Sequence, residues 1–500
     1  MEEPRPNITR RRFVAGAIAT GAAVAAPGAA EAAKRRRRRA RRPRKAGHSA
    51  DVVVVGAGLA GLTAARELVK ARRSVIVLEA CNRVGGRCFS RSLGPGATDV
   101  ANMGATFVGP TQHQVLGLMS ELGIGKFPTY ADGKLVFHED GKNTPYTGAI
   151  PPSDDPVAVI HLGTVTLPQI DRMAATVPLD APYNAPKAQE WDSITVDSWA
   201  QQNVPSAKGR VLLGLAVEAV LSVEPRDISL LYFLFYVHAV GGVNALIANA
   251  GAGGAQDLRV SGGTQGIAVA AARQLRGRVM LSHPVREISQ SGRGVTVTAD
   301  AITVRGKRVI VAIPPNLAGR IVYSPGLPAL RDQLTQRMPV GSLIKTIGVY
   351  DRPFWRGQGL NGQATSDQGP VKVTFDASPA SGTPGVLLGF VDGDDARQLS
   401  DLSDAERARR EIASYVTLFG SEAAHPRTFF DQVWDREIYT GGCPVGVMPP
   451  GVMTEYGRAL RAPVGRIHWA GTETATVWNG YMDGAIQSGK TAAAAVLAAL

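Results

Sequence analysis

Asp51-Val-Val-Val-Val55, Gly56-Ala-Gly58-Leu-Ala-Gly61 and Ser74-Val-Ile-Val-Leu78-Glu79 are the stretches whose reading decides the fold. The first is a short β-branched apolar run, which predicts a buried parallel strand. Three glycines follow at once. Leu59 to Ala71 then has helical spacing, with Leu62, Ala65 and Leu68 on one face. The third stretch is a second buried strand that ends in an acid. Together they make a βαβ unit carrying the GxGxxG pattern of a dinucleotide site. Gly56 permits the tight turn, Gly58 lets the backbone approach a pyrophosphate, and Gly61 lets the helix pack closely on the strand. The helix N-terminus offers amide donors and a positive dipole end to phosphates. Glu79 stands eighteen residues after Gly61 and can accept hydrogen bonds from a ribose diol. This unit alone leaves FAD and NAD both open.

Working outward, Arg83-Val-Gly-Gly-Arg87 lies just beyond Glu79. Its paired glycines let the chain pass close to a cofactor, and Arg87 can pair with a phosphate. Arg259 to Gly266 is a glycine turn before an Ala-rich helix, Ile267 to Leu275. Val279 to Leu281, Val285 to Ile288, Val295 to Ala299 and Arg308 to Ile313 read as strands. Ile467 to Trp469 runs into a Gly471 turn, and a helix follows from Tyr481 to Leu500. Residues 125–258 mix Pro-rich loops with apolar helices, notably Leu230 to Val237. Residues 335–436 read as strands, among them Ser342 to Tyr350 and Val386 to Val391, with a charged helix at Ser403 to Phe419. The pattern predicts an α/β fold: a Rossmann-like dinucleotide-binding domain interleaved with an α+β substrate domain. The expected boundaries are 49–124, 260–334 and 437–500 for the first, and 125–259 with 335–436 for the second.

The chain has 500 residues and a formal charge of +13. Residues 1–48 hold fourteen Lys/Arg and three acids, a net of +11, so the other 452 carry only +2. A nucleic-acid footprint on the folded part is therefore not supported. Thr9-Arg10-Arg11-Arg12-Phe13-Val14 has the twin-arginine export pattern, followed by a weakly apolar run to Ala26 and small residues around Pro27 to Ala33. That order predicts a signal segment over 1–33 and an exported, extracellular or envelope protein. Residues 34–48 read as a polybasic linker, since ten basic residues in the twelve from Lys34 to Lys45 repel one another. Three cysteines, Cys81, Cys88 and Cys443, make no disulfide framework, and the eight histidines show no metal-ligand spacing.

With Arg83 to Arg87, Gly341-Ser-Leu-Ile-Lys-Thr-Ile347, Tyr439-Thr-Gly-Gly-Cys443 and Gly471-Thr-Glu-Thr-Ala-Thr476 assembled, the chain resembles the flavin-containing monoamine oxidases. Phe107 to Gln112, Glu190-Trp-Asp192, Asp351 to Trp355 and Asn479 to Gly484 support the match, which runs in order from about residue 50 to 500. The resemblance implies the amine oxidase architecture and an FAD whose 8α-methyl can be joined to a cysteine. Cys443 stands at that position, although from the residues alone it reads as a buried thiol. Pro444 follows where the mitochondrial members carry one half of an aromatic cage; Tyr481 matches the other half. Lys345 matches the lysine that holds a water near flavin N5, and Trp434 a tryptophan near the ring. Gly104, Val285, Gly471, Thr472 and Met482 complete the implied cofactor contacts. Gln256 and Ile247 match substrate-cavity positions, with Ala219 and Val220 in the cavity wall.

The implied chemistry is oxidative deamination of a primary amine, aromatic amines included, to aldehyde, ammonia and hydrogen peroxide, by hydride transfer to flavin N5. The catalytic candidates are Lys345 and Tyr481. An L-amino acid oxidase is one alternative; it requires a carboxylate-binding arginine, for which Arg226 and Arg259 are the candidates. An FAD-dependent dehydrogenase with another acceptor is a second. The expected partners are a small amine, oxygen and the twin-arginine machinery, with a homodimer as the expected assembly and neither nucleic acid nor a transmembrane anchor.

Overall fold

The computed structural model describes residues 47–94 and 99–500. The expected signal segment, and the linker up to residue 46, lie outside the described residues. Gly47–Ser49 is already a strand, pairing in parallel with Thr303–Arg305. The first described strand therefore starts two residues before the expected boundary at 49. Backbone pairing at a sheet edge needs no apolar side chains, so hydropathy gave no warning of it.

The βαβ unit forms as its sequence demands. Val52–Val55 and Val75–Leu78 are parallel neighbours, joined through the helix Leu59–Lys70. Three further parallel strands extend the sheet, in the order Val279–Met280, Val75–Leu78, Val52–Val55, Arg308–Val311, Ile467–Trp469. Every side chain of Val52–Val55 is buried, because helices cover one face of the sheet and a second sheet covers the other. The last helix, Met482–Ala498, lies against Leu59–Lys70 and shares its apolar cluster. A second five-stranded sheet, which includes Val285–Ser291 and Gly294–Ala299, packs on the opposite side.

A seven-stranded sheet forms the second body of structure. Its order is Thr428–Val433, Leu343–Tyr350, Gly385–Asp392, Val373–Asp376, Leu360–Ser366, Lys134–Glu139, Lys142–Tyr146. The last two strands fall in the segment expected to hold loops and helices. They are a hairpin turned by Asp140 and Gly141, both at positive φ (50° and 79°). That is the Asp-Gly signature of a tight hairpin, and it was the available signal. Opposite this sheet lies a helical layer. Its centre is Leu230–Val240, in which every residue but His238 is buried. Among the described residues no helix is long and apolar enough to cross a membrane.

Candidate active site

One cavity of about 520 Å³ runs from the glycine turn of the parallel sheet to the seven-stranded sheet and the helical layer. At its first end Gly56 has φ +99°, and a Cβ there would stand 2.7 Å from the Ala312 carbonyl oxygen. A Cβ on Gly61 would stand 2.0 Å from the Gly56 carbonyl oxygen, so only glycine lets the helix come this near its strand. Gly58 differs. It lines the cavity, and a Cβ on it would meet nothing nearer than Gly85, at 4.0 Å. The second glycine motif is joined to the first by backbone: Gly85 N–H donates to the Ala57 carbonyl at 2.9 Å, and Gly58 bridges Gly85. Gly58 and Gly86 thus lie side by side as a bare floor. Beside it the Glu79 carboxylate accepts from the Ala57 and Cys81 amides at 2.6 and 2.8 Å. Each of its oxygens keeps a second lone pair for a diol.

Gly471, Thr472 and Met482 close this stretch from the other side and line the same cavity. The Gly471 amide donates to Ser488 Oγ, and the Thr472 hydroxyl to the Tyr481 carbonyl at 2.9 Å. Val285 also lines the wall. A shallow glycine floor, an acid at the strand end and a long cavity beyond them suit a flavin dinucleotide. The residues present fit FAD.

One of two further expected cofactor contacts, Trp434, is corrected. Arg87 lines the cavity as expected, and part of its guanidinium is engaged within the chain. It makes two bonds to Glu473, 2.7 and 3.1 Å, and one to the Pro444 carbonyl. The Glu473 side chain is wholly buried, and an unpaired buried carboxylate is costly. Burial pushes Glu473 up, and Arg87 more than reverses this. From its place in the cavity wall, Arg87 therefore ties the Pro444 segment to the Glu473 turn. Trp434 is not in the wall. It sits one layer behind, clustered with Leu343 and Cys443, its indole donating to the Met103 carbonyl at 2.9 Å. The two pairings join residues hundreds of positions apart, so no local pattern announces them.

At the far end Lys345 is 1% exposed on a strand buried along its whole length. Its Nζ donates to the Gly104 carbonyl at 2.6 Å and to the Thr106 hydroxyl. Gly104 has no room for a side chain, since a Cβ would collide with the Arg87 carbonyl. Burial lowers the Lys345 pKa to about 7, opposed in part by Cys443 and reinforced to a lesser degree by Arg259. Cys443 also lines the cavity, 5% exposed, its thiol pushed up to about 12 by burial. Tyr481 lines the cavity beside Tyr236, with ring centroids 6.2 Å apart, and Trp478 stands edge-on behind it at 4.9 Å. Ile247, Gln256, Ala219 and Val220 line it as expected. Gln256 donates to the Leu246 carbonyl at 3.2 Å, while its own Oε1 is buried with no donor.

The structure adds wall residues that the sequence reading missed: Tyr236, Asn249, Gln363, Thr365, Phe375 and Phe390. Alternation along Leu360–Ser366 was the signal for two of them, masked there by polar side chains. The arginines of the amino-acid alternative do not join the site. Arg226 is on the surface with Asp394, and Arg259 donates to the Ser378 carbonyl under the Phe127 ring. Neither lines the cavity.

Comparison with known proteins agrees with this geometry. The family model for flavin containing amine oxidoreductase matches residues 59–497. A Mycobacterium tuberculosis protein named as a flavin-containing monoamine oxidase, AofH, is 44% identical over 452 residues, covering 90% of this chain and 97% of its own. The horse (Equus caballus) flavin-containing amine oxidase A is 37% identical, covering 91% and 86%. Among solved structures, wild-type putrescine oxidase bound to putrescine superposes with a TM-score of 0.86 at 32% identity, covering 90% of this chain and all of that one. Cyclohexylamine oxidase from Brevibacterium oxydans gives 0.85 at 32% identity, covering 90% and 99%.

Proposed function

The chain belongs to the flavin-containing amine oxidoreductases and is an FAD-dependent amine oxidase; from that premise we propose that its substrate is a primary monoamine with an apolar body. The observation that carries this is the make-up of the cavity. Glu79 is the single carboxylate among its described lining residues, and it sits at the glycine end. The Lys345 end offers aliphatic and aromatic walls, one cation and amide oxygens. A cation there disfavours an ammonium group and favours the neutral amine. The orphaned Gln256 Oε1 is an acceptor suited to an amine N–H.

FAD, when bound, supplies a two-electron sink that oxygen can empty. The chain supplies the rest. Tyr481 and Tyr236 orient the amine against aromatic faces, and the apolar walls exclude water. Lys345 holds a proton at Nζ whose affinity is set near neutrality, where oxygen reduction consumes protons. The balance is one amine, one oxygen and one water giving one aldehyde, one ammonia and one hydrogen peroxide. Holoenzyme given a primary monoamine in air should form aldehyde and peroxide in equal amounts. Peroxide from α-amino acids alone would overturn this reading in favour of the amino-acid alternative.

The position of Cys443 in the cavity wall supports a covalent flavin. Acid-precipitated wild-type protein should stay yellow, and Cys443→Ser should release all its flavin into the supernatant. Release from wild type would contradict the link. Export rests on the Thr9 to Val14 pattern. Recovery outside the cell of a chain whose first residue lies beyond Ala26 supports it, and retention of the full-length chain inside contradicts it.

A further inference from the structure

The sheet that carries Lys345 also measures distance along the cavity. Lys345 pairs with Phe390, Phe390 with Val373, and Val373 with Thr365. All four line the cavity, so one register row forms its floor. Neighbouring strands are about 4.8 Å apart, which places the Thr365 position roughly 14 Å from that of Lys345. The middle of the row is apolar and aromatic, with Phe375 set edge-on to Phe390 at 6.2 Å. Its far end is polar. Gln363, two residues from Thr365 on the same strand, also faces the cavity. Its Nε2 donates to Asn249 Oδ1 at 3.2 Å, and Asn249 Nδ2 donates to the Gly148 carbonyl. This chain of donors orients both amides. It leaves Gln363 Oε1 buried with no donor of its own.

An unfilled acceptor at a cavity wall costs free energy until a donor reaches it. We propose that Gln363, supported by Asn249 and Thr365, forms a second subsite that receives a neutral hydrogen-bond donor, a hydroxyl or amide N–H, at the end of the substrate opposite its amine. The proposal rests on the amine oxidase reading and narrows it. The preferred substrate is a long monoamine with an apolar middle and a donor tail. A diamine is not matched, because no carboxylate lines this end among the described residues.

The test uses holoenzyme and primary amines of matched chain length that differ only in the far group: hydroxyl, methoxy, methyl or ammonium. A methoxy group accepts but cannot donate. At lengths that span the row, the hydroxyl compound should exceed the methoxy compound in kcat/KM about five- to tenfold. Short chains should show no difference. Gln363→Met, close in volume, should bring the ratio to one. The ratio is internal to each protein, so a general loss of activity does not imitate the effect. Equal rates in wild type, a ratio that survives in Gln363→Met, or a preference for the ammonium tail would each overturn the subsite. Failure of every amine to bleach the flavin would instead overturn the amine reading, and the subsite with it.

Discussion

Replacing Lys345 by methionine is expected to lower amine turnover in air about 10²-fold while leaving the protein as stable as wild type, or more so. Methionine fills similar space in a site that is almost wholly buried. It removes the donor to Gly104 and Thr106 and the proton held at the cavity wall. The stability half of the result separates function from structure. Burial holds the Lys345 pKa near 7, below its ordinary 10.5. Between those values the unfolded chain binds the extra proton, so wild-type stability rises with pH across that window. The variant lacks this rise. Its gain in melting temperature is therefore largest at and below pH 7 and fades as pH approaches 10.5. A buried ammonium that costs stability is kept for what it does. Thermal melts at several pH values, run beside peroxide assays, check both halves. Turnover within threefold of wild type, or a large fall in melting temperature, would sink the assignment.

The second large effect concerns Gly58. Its backbone has φ −73° and ψ 177°, which any residue adopts, and the space in front of it is open to the cavity. Gly58→Val should therefore fold. Its branched side chain would stand on the bare floor between the two glycine motifs, where a pyrophosphate must approach the helix amides. Loss of two such charge-assisted bonds should weaken flavin binding by about 10²-fold or more. Gly61→Val is the contrasting case. A Cβ 2.0 Å from a backbone oxygen leaves the helix nowhere to sit, and this variant should not fold. Visible absorbance per protein, with circular dichroism for folding, distinguishes the two. A fully loaded Gly58→Val protein would contradict the cradle.

The parts legible in the sequence were those in which one local pattern carries the structure. Val52–Val55, the helix after it and Val75–Leu78 came out within a residue of expectation, because β-branched runs and glycine spacing have few other readings. Lys345 was legible as well, since a lysine inside Leu343-Ile344 and Thr346-Ile347 must either reach water or serve a buried purpose. Other features were set at long range. Arg87 meets Glu473 across 386 positions, and the carboxylate that claims it cannot be seen from Arg83 to Arg87. Trp434 was placed too near the cavity, because a matched position gives proximity but not the layer. The hairpin Lys134–Tyr146 was hidden by charged and Pro-containing strands, despite the Asp140-Gly141 turn. Gln363 and Thr365 were lost because Leu360–Ser366 puts polar groups on a wall that sequence reading expects to be apolar.

The most direct measurement is made without oxygen. Holoenzyme is mixed anaerobically with a primary monoamine, and the flavin band is followed before and after air is admitted. The account predicts full bleaching by monoamines and none by α-amino acids. Colour should return rapidly in air, with one peroxide per amine consumed. A flavin that no amine bleaches, or that amino acids alone bleach, would contradict it.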